Sequence, residues 1–180
     1  TGHSRGGKTA ALAGAVDTRC AVVNPNETCA GSSACYRVHM EGRCGSIQGR
    51  SETLADLWKN FSFWLGPEME KYKDDETLLP FDCHFLKAMI APRTAFYSEA
   101  AADFWANPVG AYQTTRATEE VYRLLGAEEE LLWYYRPGTH GHTVGDLEML
   151  CEIILHKKDP SHPLPAGLFE APFDIPEPIW

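Results

Sequence analysis

The chain has 180 residues, is 44% hydrophobic and carries a net charge of −9, enough for one domain with a buried core. That charge argues against nucleic acid and anionic membranes as partners. With no apolar run of about 18 residues, the sequence offers no membrane span, and it shows no signal peptide.

The first ten residues contain Gly2, Ser4 and Gly6 in a G-x-S-x-G pentapeptide, followed by an Ala- and Leu-rich run over residues 8–16. This is the sequence form of a nucleophile elbow, a serine on a strained turn between a strand and a helix. The flanking glycines are expected to keep a Cβ out of the turn. The helix N-terminus would offer backbone N–H groups to a developing oxyanion. An elbow follows a core strand, of which Thr1 to His3 are all that precede Ser4. The chain therefore reads as the C-terminal half of a longer hydrolase.

Residues 21–24 read as a short apolar strand and residues 25–33 as a polar loop, the place where α/β enzymes put chemistry. Residues 34–48 read as irregular. Residues 53–65 are aromatic-rich, with Trp58 and Trp64 expected as core or loop anchors, and residues 71–76 are charged and solvated. A helix is predicted over 83–90, a buried strand over 94–98, and a loop with Asp103 and Trp105 over 99–108. A long helix follows over 109–125, stopped by Gly126. Then come a strand over 131–135, a loop with His140 and His142 over 136–145, and a helix over 146–157. The tail from residue 159 holds six prolines in 22 residues and should run extended over the surface. Residues 1–158 thus form the C-terminal part of an α/β catalytic domain and 159–180 an extended tail.

This is the order of a parallel α/β sheet with chemistry arriving as Ser, acid, His, the α/β-hydrolase order. Ser4 needs a base. His140, directly after the last strand, is the first candidate, and His142 competes for the role. The acid is open between Glu27, Glu99 and Asp103, with element order alone favouring Asp103. The six cysteines permit disulfides without demanding them, and their spacing gives no C-x-x-C pair for a structural zinc.

Four stretches together, Gly2-His3-Ser4-Arg5-Gly6-Gly7-Lys8-Thr9-Ala10, Asn24-Pro25-Asn26-Glu27, Leu79-Pro80-Phe81-Asp82-Cys83-His84 and Ile90-Ala91-Pro92-Arg93, resemble the glucuronoyl esterases. These carbohydrate esterases cleave esters of 4-O-methyl-glucuronic acid on xylan, including its links to lignin. The resemblance implies an α/β-hydrolase fold, a Ser4–His140–Glu27 triad with Asp103 as the alternative acid, Arg5 at the oxyanion, and Lys8 and Trp105 on the sugar. It implies no metal or organic cofactor, and a glucuronoxylan or lignin-carbohydrate ester as substrate. It also implies a secreted or periplasmic location, inferred from that polymer alone. The family's secreted fungal members bridge a cysteine before the nucleophile to one after the histidine. Here His3 and Gly141 stand in those places, as in the bacterial Gly-His-Ser-Arg form. Cys35 matches a family cysteine without a clear partner. The family's sugar-binding Gln and Glu fall somewhere near Arg50 and Glu52. Nothing in the sequence assigns an oligomeric state.

Overall fold

The computed structural model describes residues 1–44 and 47–173, without the side chains of residues 43–48. Its strands are β1 (Gly2–His3), β2 (Val22–Val23), β3 (Pro25–Asn26), β4 (Glu41–Cys44), β5 (Ile47–Arg50), β6 (Thr94–Ala100) and β7 (Leu131–Arg136). The helices are α1 (Arg5–Val16), α2 (Leu54–Phe61), α3 (His84–Ala88), α4 (Pro108–Leu124) and α5 (Val144–Lys158). Five strands form one parallel sheet. β1 pairs with β3, both β2 and β3 pair with β6, and β6 pairs with β7.

β2 and β3 are one strand interrupted at Asn24, because Val22 faces Thr94 and Asn26 faces Ser98 in a single register. At the interruption the Asn24 side chain takes over: its Nδ2 donates to the Phe96 carbonyl at 2.8 Å. A buried carbonyl needs a donor, and a side-chain amide supplies it where the ladder breaks. The strand predicted over 21–24 therefore runs on through Pro25 and carries Glu27 at its carboxyl end.

Side chains alternate along the strands, so the two faces of β6 and β7 feed different cores. Ala95, Tyr97, Leu131, Trp133 and Tyr135 join Ala15 of α1 and Tyr122 of α4. Phe96 and Leu132 join Leu150 and Ile153 of α5 on the opposite face. The result is a three-layer α/β arrangement with the loops carrying chemistry at the carboxyl ends of its strands. A separate cluster of Tyr36, Leu54, Leu57, Leu79 and Cys83 supports the 28–83 region beside the sheet.

Two expectations need correction. Within residues 34–48, expected as irregular, lie β4 and the start of β5, and the two strands form an antiparallel pair in which Gly42 faces Gly49. Those two glycines hide the strand pattern, and they are there because Phe104 lies on them. A Cβ at Gly42 would sit 2.5 Å from the Phe104 ring, and one at Gly49 3.0 Å from its Cβ. The tail does more than run over the surface. Leu168 is buried and bridges to Tyr134, Phe169 N donates to the Trp133 carbonyl at 3.1 Å, and Phe173 packs on the Tyr135 side of the core. Its apolar residues among the prolines cover the β7 edge. Residues 174–180 of the predicted tail lie outside the described residues.

Cys20, Cys29, Cys35, Cys83 and Cys151 are free thiols. Cys35 donates to Asp82 Oδ2 at 3.1 Å, and Asp82 also accepts from the backbone of Tyr36 and Cys83. That carboxylate ties the 34–37 segment to the entrance of α3.

Candidate active site

Ser4 stands between β1 and α1 with φ 53° and ψ −122°, a region a side chain enters only at a cost of about 1–3 kcal/mol. Two bonds hold it there: Ser4 N donates to the Asn26 carbonyl at 2.8 Å, and the Ser4 carbonyl accepts from Lys8 N at 3.1 Å. The steric demand of the elbow differs from the G-x-S-x-G reading. A Cβ at Gly2 would lie 2.3 Å from the Gly6 carbonyl oxygen, and one at Gly7 would lie 2.3 Å from Thr28 Cγ2. A Cβ at Gly6 would meet nothing within 4 Å. The glycines that the turn requires are Gly2 and Gly7.

The neighbouring pocket of about 530 Å³ is lined by His3, Ser4, Arg5, Lys8, Glu52, Trp64 and Trp105 among others. Four of the residues singled out from sequence, Ser4, Arg5, Lys8 and Trp105, thus share one cavity. The Arg5 guanidinium lies 5.9 Å from the Trp64 ring centroid, a cation–π contact that steadies a charge next to the serine. Phe61 stacks on the same indole at 4.0 Å.

Lys8, a cation in the first turn of a helix, is misplaced with respect to the helix dipole. Its partners explain it. Nζ donates to the carbonyls of Thr28 (2.6 Å) and Ala30 and to Glu52 Oε2 at 2.9 Å. The sequence placed the family's sugar-binding Glu only near Arg50 and Glu52, and the Lys8 partner that fixes Glu52 is 44 positions away. Burial raises its carboxyl above the ordinary value, against the pull of Lys8. Glu52 N donates to the Trp105 carbonyl at 3.1 Å, so the ion pair and the indole are tied together at the pocket wall.

The base is served by two carboxylates. His140 Nδ1 lies 2.6 Å from Asp103 Oδ2 and 3.4 Å from Glu27 Oε2. The hydrogen bond is to Asp103, the acid favoured by element order, while Glu27, the acid implied by resemblance, stands next to it. Glu27 is fully buried and ion-paired to Arg136, and it accepts from Gly141 N at 2.7 Å. Burial pushes its carboxyl up to about 7, opposed by the Gly141 bond and the Arg136 charge. Arg136 in turn spans Glu27, Asp146 of α5 and the Gly141 carbonyl. Glu27 therefore anchors the histidine loop to β3 from beneath. Glu99, the third candidate, is fully buried, accepts from Ser33 Oγ at 3.1 Å, and is pushed far up by burial.

The bond to Asp103 holds the His140 imidazole above the usual histidine value, against partial burial. His142, the rival base, is stacked on His3 at 5.6 Å, whereas no carboxylate contact to its ring is seen among the described residues. His3, Glu27 and His140 bring ligand-capable atoms within 4.8 Å of one another. Of that trio, the Glu27 carboxylate is engaged by Arg136 and Gly141, His140 Nδ1 by Asp103, and His3 Nδ1 by Asn26 at 2.6 Å. The sequence assigned no role to His3 or Arg136, and brought Glu52 only into the neighbourhood of the family's sugar-binding Glu. The sequence signals were the position of His3 next to the nucleophile and an arginine at the end of the strand before the histidine loop.

Residues 1–126 match the family model described as glucuronyl esterase, fungi. The chain is 31% identical over 170 residues to a carbohydrate esterase, MZ0003, from an unknown prokaryotic organism, covering 86% of this chain and 37% of that protein. It is 33% identical over 144 residues to a 4-O-methyl-glucuronoyl methylesterase of Hypocrea jecorina, covering 79% and 30%. A CE15 glucuronoyl esterase from Caldicellulosiruptor kristjansonii superposes with a TM-score of 0.83 at 31% identity, over 97% of this chain and 46% of that one. The chain thus spans about a third of the length of these curated relatives and just under half of that solved structure. The fold is that of the α/β-hydrolases. The chain belongs to the glucuronoyl esterase family.

Proposed function

We propose that this chain carries the acyl-transfer and sugar-recognition machinery of a serine carboxylesterase acting on esters of (4-O-methyl)-glucuronic acid, such as those joining glucuronoxylan to lignin. The observation that carries the reading is the pocket in which Ser4 and Arg5 share walls with the Lys8–Glu52 pair and Trp105. A plain lipase site has no need of a buried ion pair beside its nucleophile. A sugar ring does, because its hydroxyls pair with a cation and a carboxylate while its C–H face lies on an indole.

Ser4 Oγ attacks the ester carbonyl, and His140 Nε2 takes its proton. Asp103 holds Nδ1–H and stabilises the imidazolium, and Glu27 with Arg136 holds the loop that carries the ring. Arg5 and the backbone N–H groups at the start of α1 hold the negative charge that develops on the carbonyl oxygen. The tetrahedral intermediate collapses, the alcohol leaves with the proton from His140, and water repeats the sequence on the acyl-enzyme. Glu52 accepts from a ring hydroxyl, Lys8 gives up one of its three present acceptors to bind another, and Trp105 meets the ring face. The steps use no metal or organic cofactor. Since the substrate is a wall polymer, the enzyme works outside the cytoplasm.

The test is a comparison of a benzyl glucuronate ester with an acetylated xylose ester of equal concentration. Faster turnover of the glucuronate by at least about tenfold supports the reading, since pocket contacts to polar groups discriminate at least that strongly. Preference for the acetyl ester overturns the substrate and leaves a general carbohydrate esterase.

A further inference from the structure

The elbow carries an imidazole for which the reaction above has no use. His3 precedes the nucleophile. Its ring lies 4.6 Å from that of His140, tilted by 43°, and stacks on that of His142 at 5.6 Å and 13°.

The position of its proton follows from its partner. Asn26 Nδ2 donates to the Ser98 carbonyl at 3.0 Å and lies 2.8 Å from Ser98 Oγ. A carbonyl only accepts, so the amide cannot be flipped without losing that bond, and the atom facing His3 is Oδ1. The 2.6 Å contact is therefore His3 Nδ1–H donating to Asn26 Oδ1. Burial holds the His3 imidazole below the ordinary histidine value.

The sheet makes this row rigid. His3 is the register partner of Asn26, and Asn26 that of Ser98, across three parallel strands. Asn26 and Ser98 are fully buried. A ring clamped to the sheet in this way does not follow the motion of the loop it touches.

We infer that His3 is a positioning residue for the general base: a sheet-anchored ring against which the loop bearing His140 and His142 seats. The ring limits rotation of the His140 side chain, so that Nδ1 stays on Asp103 while Nε2 shuttles the proton. The inference rests on His140 being the base proposed above.

The test uses the full chain with His3→Ala, His3→Phe and His140→Ala. The readouts are kcat and KM on a benzyl glucuronate ester and the downfield proton resonance of the His140 Nδ1–H···Asp103 bond, which needs no turnover. His3→Ala is expected to lower kcat about tenfold with KM within about twofold, less than the ~10²-fold that a 1 Å misplacement costs. Its downfield proton broadens into solvent exchange. His3→Phe, which restores a flat ring, is expected to recover kcat to within about threefold and to keep the resonance. Wild-type kcat with an intact resonance in His3→Ala overturns the inference, and so does equal loss in His3→Ala and His3→Phe. Full activity in His140→Ala would instead remove the base itself, a separate failure.

Discussion

Replacing each of the two carboxylates beside His140 by its amide separates their roles. Asp103→Asn removes a charge-assisted bond of 2.6 Å to Nδ1. Such a bond is worth about 1.5–3 kcal/mol when the acceptor is ionised, which converts to a kcat loss of about 10- to 150-fold. The loss stays below that of a lone triad acid because Glu27 remains 3.4 Å from the same nitrogen. Glu27→Gln leaves the short bond in place. It removes the counter-charge of Arg136, which keeps Asp146 at 3.0 and 3.1 Å, and turns an amide N–H toward one of two donors, Arg136 Nη2 or Gly141 N. One unsatisfied buried donor costs about 1–3 kcal/mol, a drop in Tm of about 2–12 °C for a chain of this size. Steady-state kinetics and thermal melts on both variants check this. Asp103→Asn should be slow and stable, and Glu27→Gln faster and less stable. A larger kcat loss in Glu27→Gln, at unchanged Tm, refutes the reasoning and makes Glu27 the orienting acid.

The base must be neutral to accept a proton, and Asp103 holds the His140 value above the ordinary 6.5. The acidic limb of kcat/KM should therefore lie above 6.5 and move to lower pH in Asp103→Asn, as a pH-rate profile reads directly. The same raised value makes the contact stabilising below pH 6.5, an effect lost as pH rises through the folded value. At the elbow, Gly6→Ala should be neutral or stabilising by up to about 1 kcal/mol, since the site is open and helical. Gly7→Ala, whose Cβ meets Thr28 and the Gly2 carbonyl, should destabilise by about 1–3 kcal/mol. Urea melts giving the two equal values would contradict the elbow geometry. Lys8→Met leaves the nearly buried Glu52 unpaired, and about 3–5 kcal/mol of destabilisation is expected. Adding Glu52→Gln should return part of it, and a strictly additive double mutant would show that the two do not act as a pair.

The parts of the fold legible in sequence were those fixed by local chemistry. The strand over 94–98, the helix over 109–125 with its Gly126 stop, and the order Ser4, acid, His140 follow from apolar runs and turn residues. The β4–β5 hairpin was not legible, because its glycines answer to Phe104, more than fifty residues away, and carry no strand signal. Lys8 pointed to something beyond a solvated helix start, since its charge opposes the dipole. Its partners at 28, 30 and 52 are tertiary and left no mark near it. The choice between Asp103 and Glu27 turns on 0.8 Å at one nitrogen, the difference between 2.6 and 3.4 Å. Only the packing of two loops onto the His140 loop sets that difference. Gly6 was given weight by its motif position, while the steric demand falls on Gly7.

Acid-quenched intact-mass and peptide mass spectrometry during turnover of a benzyl glucuronate ester tests the central claim most directly. One glucuronoyl group is expected as an ester on Ser4, absent in Ser4→Ala, whose turnover falls by at least about 10³-fold. Undiminished turnover in Ser4→Ala, or an acyl group carried by any other residue, contradicts it.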